Sequence, residues 1–287
     1  MSLLWDELVE QARRTGRPLD ETVRHHVLEG VLRRLSRSPN AGDFVLRGSM
    51  LTRAWVAPRV RVADDLDFVG TFPHDVNDTA RRFVPALSPA EIEDGVCIEV
   101  QSFHARGIWI KSAFPGVRLS VRAGFGQADQ PLQIDVGFND PLVPSQQRMD
   151  YPMLLGPPAL LWTVRPETAL AWKLHGLAEM GPHGWRPKDL HDLYLLVEST
   201  SLEDASLPVA IEAAFVSRGY ALTDAAVFAT TDWWELKSAR VKWAEYCRSR
   251  PANDGADDLR AVVDRVHQRL WPALGTLGVE NEGGKRR

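Results

Sequence analysis

The chain has 287 residues, with 34 Lys and Arg against 38 Asp and Glu, a formal charge of −4 and 44% hydrophobic residues. That is enough to bury one large core or two modest ones without disulfides or metal. Mild acidity argues against a protein that coats nucleic acid through net positive charge and counterion release. Cys97 and Cys247 lie far apart with no partner cysteine nearby, which excludes a disulfide framework and a CxxC metal site.

The N-terminus meets an acid at Asp6 before an apolar h-region develops, so no signal peptide is expected. Residues 3–14 and 19–36 read as amphipathic helices, the second carrying Val23, Val27, Leu28, Val31 and Leu32 at 3.6-residue spacing, with Pro18 and Asp20 at its start. From 43 to 138 the pattern shortens to strand-like runs at 44–46, 66–69, 97–103, 117–123 and 132–138, several of them alternating apolar with polar. In Val117-Arg118-Leu119-Ser120-Val121-Arg122 the odd positions face a core and the even ones face away. A Pro/Gly-rich connector spans 151–166. Its uncharged part, Tyr151 to Val164, holds three prolines and is shorter than the roughly 18 to 20 apolar residues of a membrane span. Helices are then predicted at 166–180, 187–198, 206–218, 231–248 and 257–272, and a polar, disordered tail at 275–287. The expectation is an α+β protein of the cytoplasm. A small mixed-sheet core with N-terminal helices occupies 1–164, and an all-helical lobe that completes the active site occupies 165–274.

The chemistry-bearing residues begin with Arg47-Gly48-Ser49, followed by Asp65-Leu66-Asp67-Phe68. In a strand, residues i and i+2 share a face, so Asp65 and Asp67 project together while Leu66 and Phe68 enter the core. Paired carboxylates make a hard oxygen site suited to Mg²⁺. In the run at 132–138, Gln133 and Asp135 face opposite to Leu132, Ile134 and Val136. If that strand neighbours the first, Asp135 adds a third carboxylate, the minimum for two-metal phosphoryl chemistry. Gly48-Ser49 closes a strand and opens a short helix at 50–55, where a close backbone and free N–H groups suit a triphosphate. Taken singly, a Gly-Ser turn is ordinary loop punctuation and a D-x-D is an ordinary solvated strand face.

Only six of the 34 basic residues are lysines, and Lys173 falls inside the apolar stripe Ala169, Leu170, Leu174 and Leu177. A half-buried lysine is paired, serves an anionic ligand or snorkels. A phosphate or nucleotide contact predicts that Lys173→Ala abolishes activity and spares the thermal melt, whereas a structural role predicts a large loss of stability. Pro187 suits the first position of the next helix and places Asp189 at the third, where an acid is favourable for structural reasons alone. Asp189 and Asp192, at i and i+3, share a side of that helix and could orient Lys173.

The series Arg47-Gly48-Ser49, Arg61-x-x-x-Asp65-Leu66-Asp67-Phe68, Ile134-Asp135, Glu167-x5-Lys173-Leu174 and Lys188-Asp189-x2-Asp192-Leu193 resembles the AbiEii/AbiGii toxin nucleotidyltransferases of the DNA polymerase β-like superfamily. The resemblance spans about residues 20 to 198 and leaves the helices after 200 unmatched. It implies that Asp65 and Asp67 hold metal, and with the Asp135 of the strand reading the site would take two Mg²⁺ ions. Gly48, Ser49 and Lys173 would bind the NTP phosphates, and Lys173 and Asp189 would complete the catalytic set. It further implies a toxin of a type IV toxin–antitoxin or phage-defence system, with an antitoxin partner and the tRNA 3′ end as acceptor. Many members carry serine two positions before the first aspartate, where this chain has Ala63.

Two other readings stand beside this one: the same core with a small-molecule or protein acceptor, and a degenerate nucleotide-binding module, at which Ala63 hints. From Met1 to Val62 eleven arginines face seven acids, which favours an RNA acceptor only as far as solvated helix faces do not explain it. No GxSxG, HExxH or zinc spacing occurs, and Gly124-Phe125-Gly126 lacks the third glycine of a dinucleotide fingerprint.

Overall fold

The computed structural model describes residues 2–57, 62–87, 92–227, 232–250 and 255–279. Arg59, Arg61, residue 231 at the start of an expected helix, and the tail from 280 onward lie outside the described residues. The chain divides into two compact units: Met1–Ala54 with Val62–Asp140 and Gln146–Val164, and Trp55–Arg61 with Pro141–Ser145 and Arg165–Arg287.

The first unit begins with helices α1 (Ser2–Thr15) and α2 (Leu19–Ser36). Then come strand β1 (Phe44–Arg47), helix α3 (Gly48–Val56), β2 (Leu66–Gly70), helix α4 (Val76–Phe83) and the long strands β3 (Val96–Ile108), β4 (Gly116–Phe125) and β5 (Ala128–Gly137). Strands β6 (Gln147–Tyr151) and β7 (Ala159–Thr163) complete it. The seven strands form one mixed sheet in the order β3-β4-β5-β2-β1-β7-β6. β1 runs antiparallel to β2 and parallel to β7, and β2 runs parallel to β5.

Apolar alternation sets the faces. Val117, Leu119, Val121, Ala123 and Phe125 of β4 are buried, while Arg118 and Ser120 are partly exposed and Arg122 is exposed. Leu66 and Phe68 of β2 and Ile134 and Val136 of β5 are fully buried. Phe44, Phe68 and Phe83 meet edge-on or tilted, with ring centroids 5.1 to 6.1 Å apart. Val27, Leu28, Val31 and Leu32 of α2 have no solvent exposure. The same helix is tied down by Arg34, which donates to both Asp94 oxygens and to the Val96 carbonyl.

Three elements, β6, β7 and α4, were not expected from the sequence. The stretch read as a connector contains β7, whose five residues alternate buried with more exposed positions after the Gly156-Pro157-Pro158 turn. A strand that short, preceded by two prolines, has no periodicity long enough to stand out in sequence. α4 was not expected either; Asp75 caps it by accepting from the Asp78 amide.

The second unit is helical: α5 (Pro166–Gly184), α6 (Pro187–Ser199), α7 (Ser206–Val216), α8 (Lys237–Ser249) and α9 (Leu259–Thr276). Leu170, Leu174 and Leu177 of α5, Leu190, Leu193 and Leu196 of α6, Ile211 and Phe215 of α7 and Val266 and Leu270 of α9 are all fully buried. α5 bends at Gly181, which takes φ +60° ahead of Pro182. α6 begins at Pro187, the N1 position its sequence suggests. Among the described residues no helix is long and apolar enough to cross a membrane.

Candidate active site

Within the first unit the site is built around the β1-to-α3 turn. Gly48 opens α3 with φ +74°, the left-handed region that disfavours any side chain. A Cβ at Gly48 would collide with Asp67 Oδ2 and lie 2.8 Å from Asp67 Cβ. Glycine is therefore required twice here, for the backbone turn and for the carboxylate lying against it. The next residue, Ser49, is 8% exposed, and its Oγ is buried with no hydrogen-bond partner among the described residues. An orphaned hydroxyl at a helix N-terminus is a donor without a substrate, in a position suited to a phosphate oxygen.

The carboxylates lie on the adjoining sheet face. Strand register places Arg47 opposite Asp67, Asp67 opposite Asp135, and Asp135 opposite Arg118, so one row across β1, β2, β5 and β4 reads Arg, Asp, Asp, Arg. Asp65 sits at the bend just before β2, and both it and Asp67 are partly exposed. The strand bearing Asp135 is thus the neighbour of the D-x-D strand. Its carboxylate, however, is already engaged: Arg118 donates from Nε to Oδ1 at 2.8 Å and from Nη2 to Oδ2 at 2.7 Å. Gln133 adds a third donor at 3.3 Å. The bond to Asp135 holds the Arg118 guanidinium above the usual arginine range, with the charges of Asp65 and Asp67 adding to the effect. At the other end of the row Arg47 pairs with Asp140 at 2.8 Å, and Gly137 leaves the space that Arg47 crosses.

In oxygen chemistry the donor set Asp65, Asp67 and Asp135 fits a hard divalent cation. Among the described residues no three such side chains are arranged to hold one, and Asp135 is turned to Arg118.

In the second unit Lys173 of α5 lies 2.7 Å from Asp192 Oδ2 and 3.3 Å from Asp189 Oδ1. Arg186 takes the other Asp189 oxygen at 2.6 Å. Both acids are buried, so the apolar stripe carries its lysine because α6 presents two carboxylates to it. His191, one turn into α6, shares a hydrogen bond with the Tyr246 hydroxyl at 2.8 Å.

Sequence reasoning missed Arg118 as part of the site and gave Arg47 no role beyond its place in the motif. Arg118 stood on the face of β4 that looked merely solvated; its signal was an arginine in a strand whose neighbour carries an aspartate, legible only once the pairing is known.

A family model described as nucleotidyl transferase AbiEii toxin, type IV toxin–antitoxin system, matches residues 30–265. No curated protein matches the chain. Among solved structures, a Helicobacter pylori protein described as a candidate nucleotidyltransferase has a TM-score of 0.51 at 15% identity, over 88% of this chain and 93% of its own. The Helicobacter pylori protein JHP933 has a TM-score of 0.52 at 14% identity, over 89% and 92%. At such identities the likeness concerns the fold, which both share. The family match covers most of the chain, including the Gly-Ser turn, the D-x-D strand and the Lys173 helix: the chain belongs to the AbiEii nucleotidyltransferase toxins of type IV toxin–antitoxin systems.

Proposed function

We propose that the chain moves an NMP from an NTP to an acceptor hydroxyl, the 3′ end of tRNA, in a Mg²⁺-dependent reaction restrained in the cell by a cognate antitoxin. The observation that carries this reading is the packing of Asp67 against Gly48, which brings the D-x-D strand and the buried Ser49 hydroxyl into one place. Ser49 Oγ and the first amides of α3 bind phosphate oxygens, with the helix dipole favouring the negative charge. Asp65 and Asp67, with Asp135 beside them, would hold two divalent ions. Such ions, when bound, lower the pKa of the attacking hydroxyl and offset charge on the leaving pyrophosphate. To the same reaction we assign Lys173, oriented by Asp189 and Asp192, as a cation for the donor phosphates. The tRNA acceptor is supported by the motif resemblance alone.

The test is incubation of the purified protein with total tRNA, Mg²⁺ and each labelled NTP in turn. Label should enter tRNA and vanish in Asp65→Ala and Asp67→Ala. Labelling that persists in both variants refutes the metal assignment. Labelling of a protein or an aminoglycoside in place of tRNA refutes the acceptor and leaves the chemistry intact.

A further inference from the structure

We infer that Arg118 is a built-in stand-in cation that occupies Asp135 until a divalent ion displaces it, so that Arg118 acts as a positioning residue setting the ion affinity of the site. The inference deepens the proposed function and rests on its metal assignment.

Asp67 and Asp135 face each other in register on adjacent strands. Like charges directly opposite in a sheet repel. The Asp135 side chain is only 6% exposed, and a carboxylate that buried keeps its charge only with a partner. Arg118, at the same level on the next strand, supplies it through a bidentate fork that uses both carboxylate oxygens. Its charge also feels Asp65 and Asp67, so the guanidinium serves the whole acidic cluster. An arginine does not lose its charge by deprotonation, so Asp135 can turn to an ion only if the guanidinium moves away. The Arg118 side chain is 25% exposed, which leaves it a route to solvent.

The experiment is Mn²⁺ titration of the full chain without NTP, read from the loss of the free-ion electron paramagnetic resonance signal, with the thermal melt in EDTA as a folding check. Removing a unit charge about 4 Å from the ligand, discounted for screening at a partly exposed group, predicts roughly tenfold tighter Mn²⁺ binding in Arg118→Gln. Arg118→Lys, which keeps the charge but lacks the fork, should fall between the two and serves if Arg118→Gln does not fold. Adding Asp135→Asn to Arg118→Gln should erase the gain. Unchanged or weaker binding in both Arg118 variants overturns the exchange. Asp65→Asn and Asp67→Asn separate the two levels. If they bind Mn²⁺ like the parent, the metal assignment itself falls. If they lose binding while Arg118→Gln gains nothing, only the stand-in role falls.

Discussion

Replacing Lys173 with methionine keeps most of the stem's volume and removes the ammonium from between two buried acids. The Asp192 side chain is 1% exposed and loses its 2.7 Å partner, while Asp189, 7% exposed, keeps Arg186 at 2.6 Å. Breaking a buried ion pair from one side costs about 3 to 5 kcal/mol, and the remaining Arg186 contact argues for the lower end, about 3 kcal/mol. At about 2 to 4 °C per kcal/mol for a chain of this size class, the melt should drop by about 6 to 12 °C. Adding Asp192→Asn removes the buried carboxylate that the ammonium paired and should restore about half of the loss, a coupling that a double-mutant cycle in differential scanning fluorimetry resolves. The ion pairs thus change what a functional lysine predicts: Lys173→Met should lose both transfer and stability, and the double variant should regain stability without transfer. A single variant that melts within about 2 °C of the parent would show that the pairs contribute nothing, and the reasoning from burial would be wrong.

Gly48→Ala forces a Cβ into Asp67 at a positive φ; it should lose transfer and about 2 kcal/mol of stability, seen as a melt lowered by about 4 to 8 °C, and a stable, active variant refutes the packing argument. Asp67→Asn keeps the shape of the side chain, so transfer should vanish while the melt moves by less than about 4 °C; a larger drop contradicts a role confined to the chemistry. Burial holds the His25 imidazole below its usual pKa against the pull of Glu29, with Arg53 and Arg17 lowering it further. Below about pH 6.5 the unfolded chain therefore binds the proton first, and stability that is complete above that pH falls as the pH drops, by up to about 1.4 kcal/mol per unit. His267, also lowered mainly by burial, acts with the same sign. Melts of the parent and His25→Gln across about pH 5 to 7.5 should show the shallower slope in the variant, and parallel curves would remove His25 from the account.

Local pattern made much of the fold legible. The 3.6-residue spacing of Val23, Val27, Val31 and Leu32 marks a helix whose bounds, Leu19–Ser36, match the reading from sequence. Alternation in β4 told which side of the strand is buried, and in β5 it separated the apolar side from the side of Asp135, which is buried as well, because a side chain's face follows from its own position parity. Position parity also put Asp67 on the side opposite Leu66 and Phe68, and Gly48-Ser49 announced a turn into a helix. Residue order alone was therefore enough to say which side chains share a face of one element.

Tertiary structure alone decided which elements are neighbours and at what register. Asp67 and Asp135 are 68 positions apart in sequence, and nothing local says that their strands pair in parallel at those residues. A shift of one residue would send Asp135 to the opposite face. The same pairing turns Arg118 from a solvated residue into the partner of a buried carboxylate, and it is α6 beside α5 that turns Lys173 from a flaw in an apolar stripe into the centre of an ion triad. Charges act through space, over distances that only the folded chain sets, whereas periodicity acts along the chain, where the sequence already holds it.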